Sequence, residues 1–244
     1  MAGVRADGRN ADELRLCRME RDFVSSAPGS IFVSAGRTKV LCTVSMEEQV
    51  PAWLAGSGKG WLTAEYNMLP GSTRPRKPRD RFRADGRAAE IQRLIGRSLR
   101  AVVDLTALGE RTLTVDCDVL EADGGTRVWS INGACVALIE ALRQLRLHEG
   151  GDKLPIRENV TAVSVVLTDD ALLLDPCREE DAAAAVDFNL VMTGSGRLIE
   201  IQATAEKTVF DGDTLTKTLD LAKRAVRRIT DLQRECLGPD WPWA

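Results

Sequence analysis

The sequence predicts an α+β fold in which a group of strands is followed by a helix, twice over. Two observations carry this. Apolar and β-branched runs at 29–35, 38–46, 61–69 and 113–120 are interleaved with two segments whose apolar residues recur at helical spacing. A second series of short strand-like runs, between 160 and 203, leads into one long amphipathic segment that closes the chain. With 44% hydrophobic and 28% charged residues over 244 positions, the chain has enough apolar material for one large core or two fused ones.

The elements follow in order. Residues 29–35 (GSIFVSA) and 38–46 (TKVLCTVSM) are expected to form a hairpin turning at Gly36-Arg37, and 61–69 (WLTAEYNML) a further strand. Ile91, Leu94, Ile95, Leu99 and Val102 share one helical face, predicting a helix from about Asp85-Gly86 to Leu105. Residues 113–120 (LTVDCDVL) alternate as a half-buried strand does. A helix is expected after GGTR, with Ile131, Ala134, Cys135, Leu138 and Leu142 on its buried face, and a break at 149–152. Beyond it, 160–167 pairs with 171–174 around Asp169-Asp170, and 187–193 with 198–203 around Gly194-Ser195-Gly196. The last helix spans about 214–235 with Leu215, Leu219, Ala222, Val226 and Ile229 inward, and the tail GPDWPWA is expected to be extended. This is read as a single domain over 1–244 with approximate halves 1–150 and 151–244. No alignable sequence repeat relates the halves, so the duplication is a pattern inference.

Composition narrows the function. No run approaches the roughly 20 apolar residues of a membrane span, and the N-terminus lacks the apolar core of a signal peptide, so a cytoplasmic location is expected. The six cysteines are scattered, mostly in apolar runs, and read as buried reduced thiols rather than a zinc site. The one histidine, His148, falls near a predicted helix end. Chemistry here therefore rests on carboxylates, arginines, a metal or a bound anion. Net charge is −3, but residues 74–87 carry Arg74, Arg76, Lys77, Arg79, Arg81, Arg83 and Arg87 against only Asp80 and Asp85. Prolines make that run a loop, a cationic surface of the kind that tracks a single-stranded nucleic-acid backbone, although charge runs are also common as plain solvated faces.

Two further stretches carry candidate chemistry. Gly124-Gly125-Thr126-Arg127 opens a helix, where unpaired amides, a hydroxyl and a forked guanidinium suit a phosphate, without matching the P-loop pattern. A tight turn with Thr126 as cap and Arg127 in solvent fits the same residues. In EEDAAAAVDFN (179–189), Asp181 and Asp187 face one pocket if a short helical turn leads into a strand, which suits a divalent metal or proton transfer to a leaving oxygen. A solvated acidic cap followed by an ordinary strand residue is the alternative.

The segments GSIFVSAGRTKVLCTVSMEEQVP (29–51), GSGKGWLTAEYNMLPGSTRPR (56–76), GRAAEIQRLIGRSLRAVVDL (86–105), TLTVDCDVLEADGGTRVWSINGACVAL (112–138) and DFNLVMTGSGRLIEIQATAE (187–206) together make the chain resemble the bacterial ribonuclease PH family, over nearly its whole length. The resemblance implies the ribosomal protein S5 domain 2-like fold and a phosphate-dependent 3′-to-5′ exoribonuclease that trims transfer RNA precursors, releases nucleoside diphosphates and runs backwards as a nucleotidyltransferase. It implies phosphate binding by Arg87, Gly125, Thr126 and Arg127, and catalytic or magnesium-binding roles for Asp181 and Asp187. It implies RNA guidance by Arg74, Arg76, Lys77, Arg79, Arg81 and Arg83, and a homohexamer built as a trimer of dimers. Three positions depart from the family pattern: Asp85 before Gly86, Ala182 after Asp181, and Ala203, where glycine, serine and glycine are respectively common. None removes a proposed ligand. A non-catalytic RNA-binding ring subunit is the rival reading, and a small-molecule kinase on the same topology lacks its glycine-rich nucleotide loop.

Overall fold

The computed structural model describes residues 5–79, 86–149, 153–169 and 171–243. Five strands form the first sheet: β1 (Cys17–Arg21), β2 (Gly29–Ala35), β3 (Thr38–Glu47), β4 (Trp61–Met68) and β5 (Thr112–Glu121), in the order β1-β2-β3-β5-β4. All pairs are antiparallel except β4 with β5. Parallel neighbours need a crossover, and α1 (Gly86–Arg100) with the single turn α2 (Leu105–Leu108) supplies it. Four strands form the second sheet, β6 (Val160–Leu167), β7 (Leu172–Leu174), β8 (Val186–Thr193) and β9 (Leu198–Ala205), in the order β7-β6-β8-β9 and wholly antiparallel.

Between the sheets runs α3 (Thr126–Glu149), packed on β2 and β3 from one side and β6 from the other. The expected one-sided stripe is therefore a correction: every residue from Val128 to Leu142 is buried, including Ser130 and Asn132. A helix covered on all sides carries no amphipathic period, and its polar residues need partners. Asn132 finds them in the backbone of β6, donating to Ala162 O (2.9 Å) and accepting from Ala162 N (2.7 Å). The closing helix α5 (Gly212–Leu237) lies on the second sheet, with Ala222, Val226 and Ile229 fully buried and Leu215 and Leu219 partly so.

Other differences have local causes. The first helix ends at Arg100, not Leu105, because Val103 leaves it to bridge Ile156 and Asp104 caps α2, accepting from the amides of Thr106 and Ala107. Strand β1 escapes the sequence patterns because charged residues occupy its exposed positions on a sheet edge. The tail is extended only in part: Gly238–Asp240 forms a 3₁₀ turn, Trp241 continues in extended backbone, and Trp241 and Trp243 meet edge-to-face at 4.9 Å against the core. The six cysteines are free; Cys42, Cys117 and Cys135 are buried and the other three half-buried. Residues 150–152 and Asp170, where a break and part of a turn were expected, lie outside the described residues. Among the described residues no helix is long and apolar enough to cross a membrane.

Candidate active site

The start of α3 answers why GGTR needs two glycines. Gly124 and Gly125 both have positive φ (81° and 65°), the left-handed region that costs an L-residue about 1–2 kcal/mol. Gly124 also presses on the second half of the chain: a Cβ there would lie 2.5 Å from Pro176 O and 2.9 Å from the Cys177 carbonyl carbon. Immediately beyond that contact α4 (Arg178–Ala183) begins, carrying Asp181. The GGTR turn thus packs against the residues that lead into the acidic helix.

Arg15 fixes the same junction. Its guanidinium donates to the Asp123 carbonyl (2.6 Å) and the Gly124 carbonyl (3.3 Å), and to both Asp175 oxygens (3.0 and 2.7 Å). Asp175 is 1% exposed, also accepts from Trp129 Nε1 (3.1 Å), and itself has φ 48°. Burial would raise its carboxyl, but the hydrogen bonds and charge of Arg15 more than offset this and hold it below the usual carboxylate range. Beside it, Arg5 pairs with Glu180 of α4 (2.5 Å).

These contacts frame a cavity of about 330 Å³ that brings together Arg87, Gly125, Thr126, Arg127, Asp181 and Asp187. Arg87 is the second residue of α1, and Thr126 the first of α3, whose opening amides have no intrahelical acceptor. Arg127 donates to Gln202 Oε1 (2.9 Å), and Glu90 lies 3.7 Å from the same guanidinium nitrogen. It is therefore held at the wall, not left in solvent. Asp181 leaves α4 toward the cavity, and Asp187 reaches it from the start of β8, the helical-turn-then-strand arrangement expected from their spacing.

Asp187 is half-buried, whereas Asp181 stands exposed at the cavity mouth, and the carboxyls of both are raised. Burial raises Asp181, and the neighbouring Asp187 charge raises it further, against the pull of Arg87 and Arg127. Burial also raises Asp187, opposed by the Arg127 charge and by donors on Asn189 (2.8 Å) and Ser164 (3.4 Å). Asp181 and Asp187 face the two arginines across one polar space, so the site can hold an anion and a cation at once.

Sequence reasoning missed the floor of this cavity. Cross-strand register puts Ser164 opposite Asn189, Asn189 opposite Gln202 and Asp187 opposite Thr204, a polar row on one face of the second sheet. The alternation of polar residues in DFN and EIQAT was the available sign. Also missed was Tyr66 on β4, whose phenol lies 2.8 Å from Thr126 Oγ1.

Of the basic loop, Arg74, Arg76 and Arg79 are exposed and Lys77 half-buried, while Arg81 and Arg83 lie outside the described residues. The loop is rooted beside the cavity: Ala122 N donates to Ser72 O (2.9 Å), and Arg178 of α4 donates to Arg74 O (3.0 Å). A larger cavity of about 1200 Å³, lined in part by Arg143, Arg146, Lys153 and Trp243 of the tail, holds none of the candidate catalytic, phosphate-binding or RNA-binding residues.

Models of the 3′ exoribonuclease family match the chain twice, domain 1 over residues 13–144 and domain 2 over residues 158–225. The chain belongs to the 3′ exoribonuclease family. Among curated relatives, ribonuclease PH of Thermosynechococcus vestitus is 52% identical over 239 residues, covering 98% of this chain and 99% of the relative. Ribonuclease PH of Moorella thermoacetica is 50% identical over 237 residues, covering 96% and 95%. Solved structures share the exoribonuclease fold at lower identity. An Archaeoglobus fulgidus exosome with RNA bound to the active site superposes with a TM-score of 0.81 at 23% identity, covering 94% of this chain and 92% of that one. An archaeal exosome core gives 0.76 at 23% identity, covering 95% and 90%.

Proposed function

We propose that this exoribonuclease-family chain is phosphorolytic, using inorganic phosphate to remove 3′-terminal nucleotides from RNA, transfer RNA precursors among them. The observation that carries the reading is the convergence of Arg87, Arg127 and the first amides of α3 with Asp181 and Asp187 in one cavity. Arg87, Arg127, Thr126 and the Gly125 backbone hold the phosphate dianion. A phosphate oxygen attacks the terminal phosphodiester phosphorus; the bond to the penultimate O3′ breaks, and the terminal nucleotide leaves as a diphosphate. Preorganised guanidinium groups stabilise the charge that develops on the transferring group, so no histidine base is required.

The leaving O3′ needs a proton or a positive charge. Either carboxyl can serve as the proton donor, and Asp181, raised by desolvation and by the neighbouring Asp187 charge, is the one placed beside a like charge. The pair also fits magnesium, which binds through one or two carboxylates together with substrate phosphates and keeps several waters. No cluster of three or more His, Cys, Asp or Glu side chains suited to a metal exists among the described residues. When bound, the ion would supply Lewis-acid stabilisation of the leaving oxygen.

The exposed cations Arg74, Arg76 and Arg79, with Lys77, guide the RNA backbone toward the cavity; we extend the same role to Arg81 and Arg83. The working form is a cytoplasmic homohexamer, a trimer of dimers, in which each chain is one domain of two halves, 1–150 and 151–244.

The test is an RNA with a single-stranded 3′ tail plus magnesium, with and without phosphate, the products separated into nucleoside mono- and diphosphates. Diphosphates formed only with phosphate are expected, and Arg127→Ala abolishes them while leaving the thermal transition in place. Monophosphates independent of phosphate would make the chain a hydrolase, and binding without release would make it an inert RNA-binding subunit.

A further inference from the structure

We propose that Tyr66 is a positioning residue for phosphate: its phenol donates to Thr126 Oγ1, which commits the Thr126 hydroxyl proton to the phosphate oxygen. The inference rests on the phosphorolytic reading of the cavity and adds a residue behind it.

The direction of this hydrogen bond follows from counting donors. Tyr66 is 1% exposed, so its O–H needs a protein acceptor. Among the described residues Thr126 Oγ1, at 2.8 Å, is the acceptor available to it. Were Thr126 to donate instead, the buried phenol proton would have none, at the full desolvation penalty of an unmet donor. Burial raises the Tyr66 phenol above its ordinary value, although the Thr126 bond and the charges of Arg87 and Arg127 pull the other way. It is therefore protonated, and a donor, at neutral pH.

The consequence lies at Thr126. A threonine hydroxyl has one proton and two lone pairs, and in a helix interior the proton usually goes to the carbonyl four residues back. Thr126 is the first residue of α3, so no helical carbonyl lies behind it. Among the described residues it donates to no protein group, although it is only 7% exposed and lines the cavity. With one lone pair occupied by Tyr66, the hydroxyl rotor is limited to orientations that leave its proton for a ligand. Tyr66 thus sits behind the cradle and sets the polarity of a group in front of it. Strand β4 provides the rigidity: Tyr66 is paired in register with Cys117 of β5, and α1 packs against the same strand.

Tyr66→Phe removes the phenol oxygen and keeps the ring. The expected result is a rise of about 2- to 13-fold in KM for phosphate, the span of one net hydrogen bond, with KM for RNA unchanged. Thr126→Val raises the same constant directly. Adding Tyr66→Phe to Thr126→Val changes nothing further, because Tyr66 acts only through the hydroxyl that is already gone. A merely structural role would move both KM values together, or compound in the double variant, and either result overturns the inference. A wild-type protein with no phosphate-dependent release would instead refute the phosphorolytic reading itself.

A measurement on the unaltered protein covers the case in which Tyr66→Phe does not fold. Tyr66 is the only tyrosine, so the tyrosine Fermi doublet in the Raman spectrum belongs to it alone. The intensity ratio of a donor phenol is expected; that of an acceptor phenol would overturn the proposal whatever the variants do.

Discussion

At Asp187 the site and the stability of the chain pull in opposite directions. The ionised carboxylate faces the cavity, yet burial raises its pKa above the ordinary 3.8, and the same holds for Asp181. A carboxyl raised on folding contributes stability that is fully present below the unfolded value, near 3.8, and is lost as pH rises through the folded value. At neutral pH the half-buried Asp187 is therefore a net cost that the Arg127 charge does not cancel, while the exposed Asp181 contributes little. Asp187→Asn in phosphate- and metal-free buffer should raise the melting temperature at pH 7.5, and the gain should fade as the pH approaches 4. Activity should fall at every pH. Thermal scans across that range check the sign: a variant less stable than wild type at pH 7.5 would mean that Asn189 and Ser164 stabilise the ionised form by more than burial penalises it. Neither the carboxylates nor Thr126 and Arg127 were ambiguous as chemical types in the sequence; what the sequence left open was whether they met. Spacing within one element can be read along the chain, but the approach of Gly124 to Pro176 depends on how two sheets close on one helix.

Between elements, the junction of the α3 start with α4 depends on one buried ion pair. Arg15, ahead of β1, reaches Asp175 between β7 and α4, and the same guanidinium holds the carbonyls of Asp123 and Gly124. Removing one partner of a buried pair leaves the other charge uncompensated, at about 3–5 kcal/mol. Asp175→Asn should lose that amount at pH 7 in urea denaturation, and should also strand Trp129 Nε1. Because the Asp175 carboxyl is depressed, its stabilisation is present above 3.8 and disappears as pH falls through its folded value, so the difference between Asp175→Asn and wild type should shrink in acid. A constant difference over that range would assign the loss to packing rather than charge. The elements themselves were largely legible, because hydrophobic period is a local property: β2, β3, β4 and β5, the pairs in the second sheet, α3 and α5 lie where their patterns place them. What the patterns missed, one strand, the all-round burial of α3 and the end of α1, has a separate physical reason in each case. β1 is an edge strand with solvent on one face, α3 is too buried to keep a period, and α1 stops early because Val103 gains a partner at Ile156 that no local pattern shows.

Across the whole molecule, charge is distributed against its own average. A chain of net −3 presents Arg74, Arg76 and Arg79 to solvent on a loop whose root is hydrogen-bonded to Ala122 and to Arg178, on either side of the candidate site. On the proposed reading, a polyanion is drawn to this loop on an otherwise acidic surface and its 3′ end is delivered to the neighbouring cavity. This gives the two substrates separate dependences on salt. Each cation that neutralises a backbone phosphate of single-stranded RNA releases counterions and contributes about 0.7 to the slope of log affinity against log salt. Replacing both Arg76 and Arg79 by alanine should therefore flatten that slope by about 1.4 and raise KM for RNA, while KM for phosphate, set by Arg87, Thr126 and Arg127, stays where it was. Fluorescence anisotropy of a labelled single-stranded RNA across a salt series measures the first, and initial rates at saturating RNA measure the second. An unchanged slope would put the RNA path on another face. A slope that flattened while KM for phosphate rose as well would mean that the loop reaches into the cavity and that guidance and catalysis share residues.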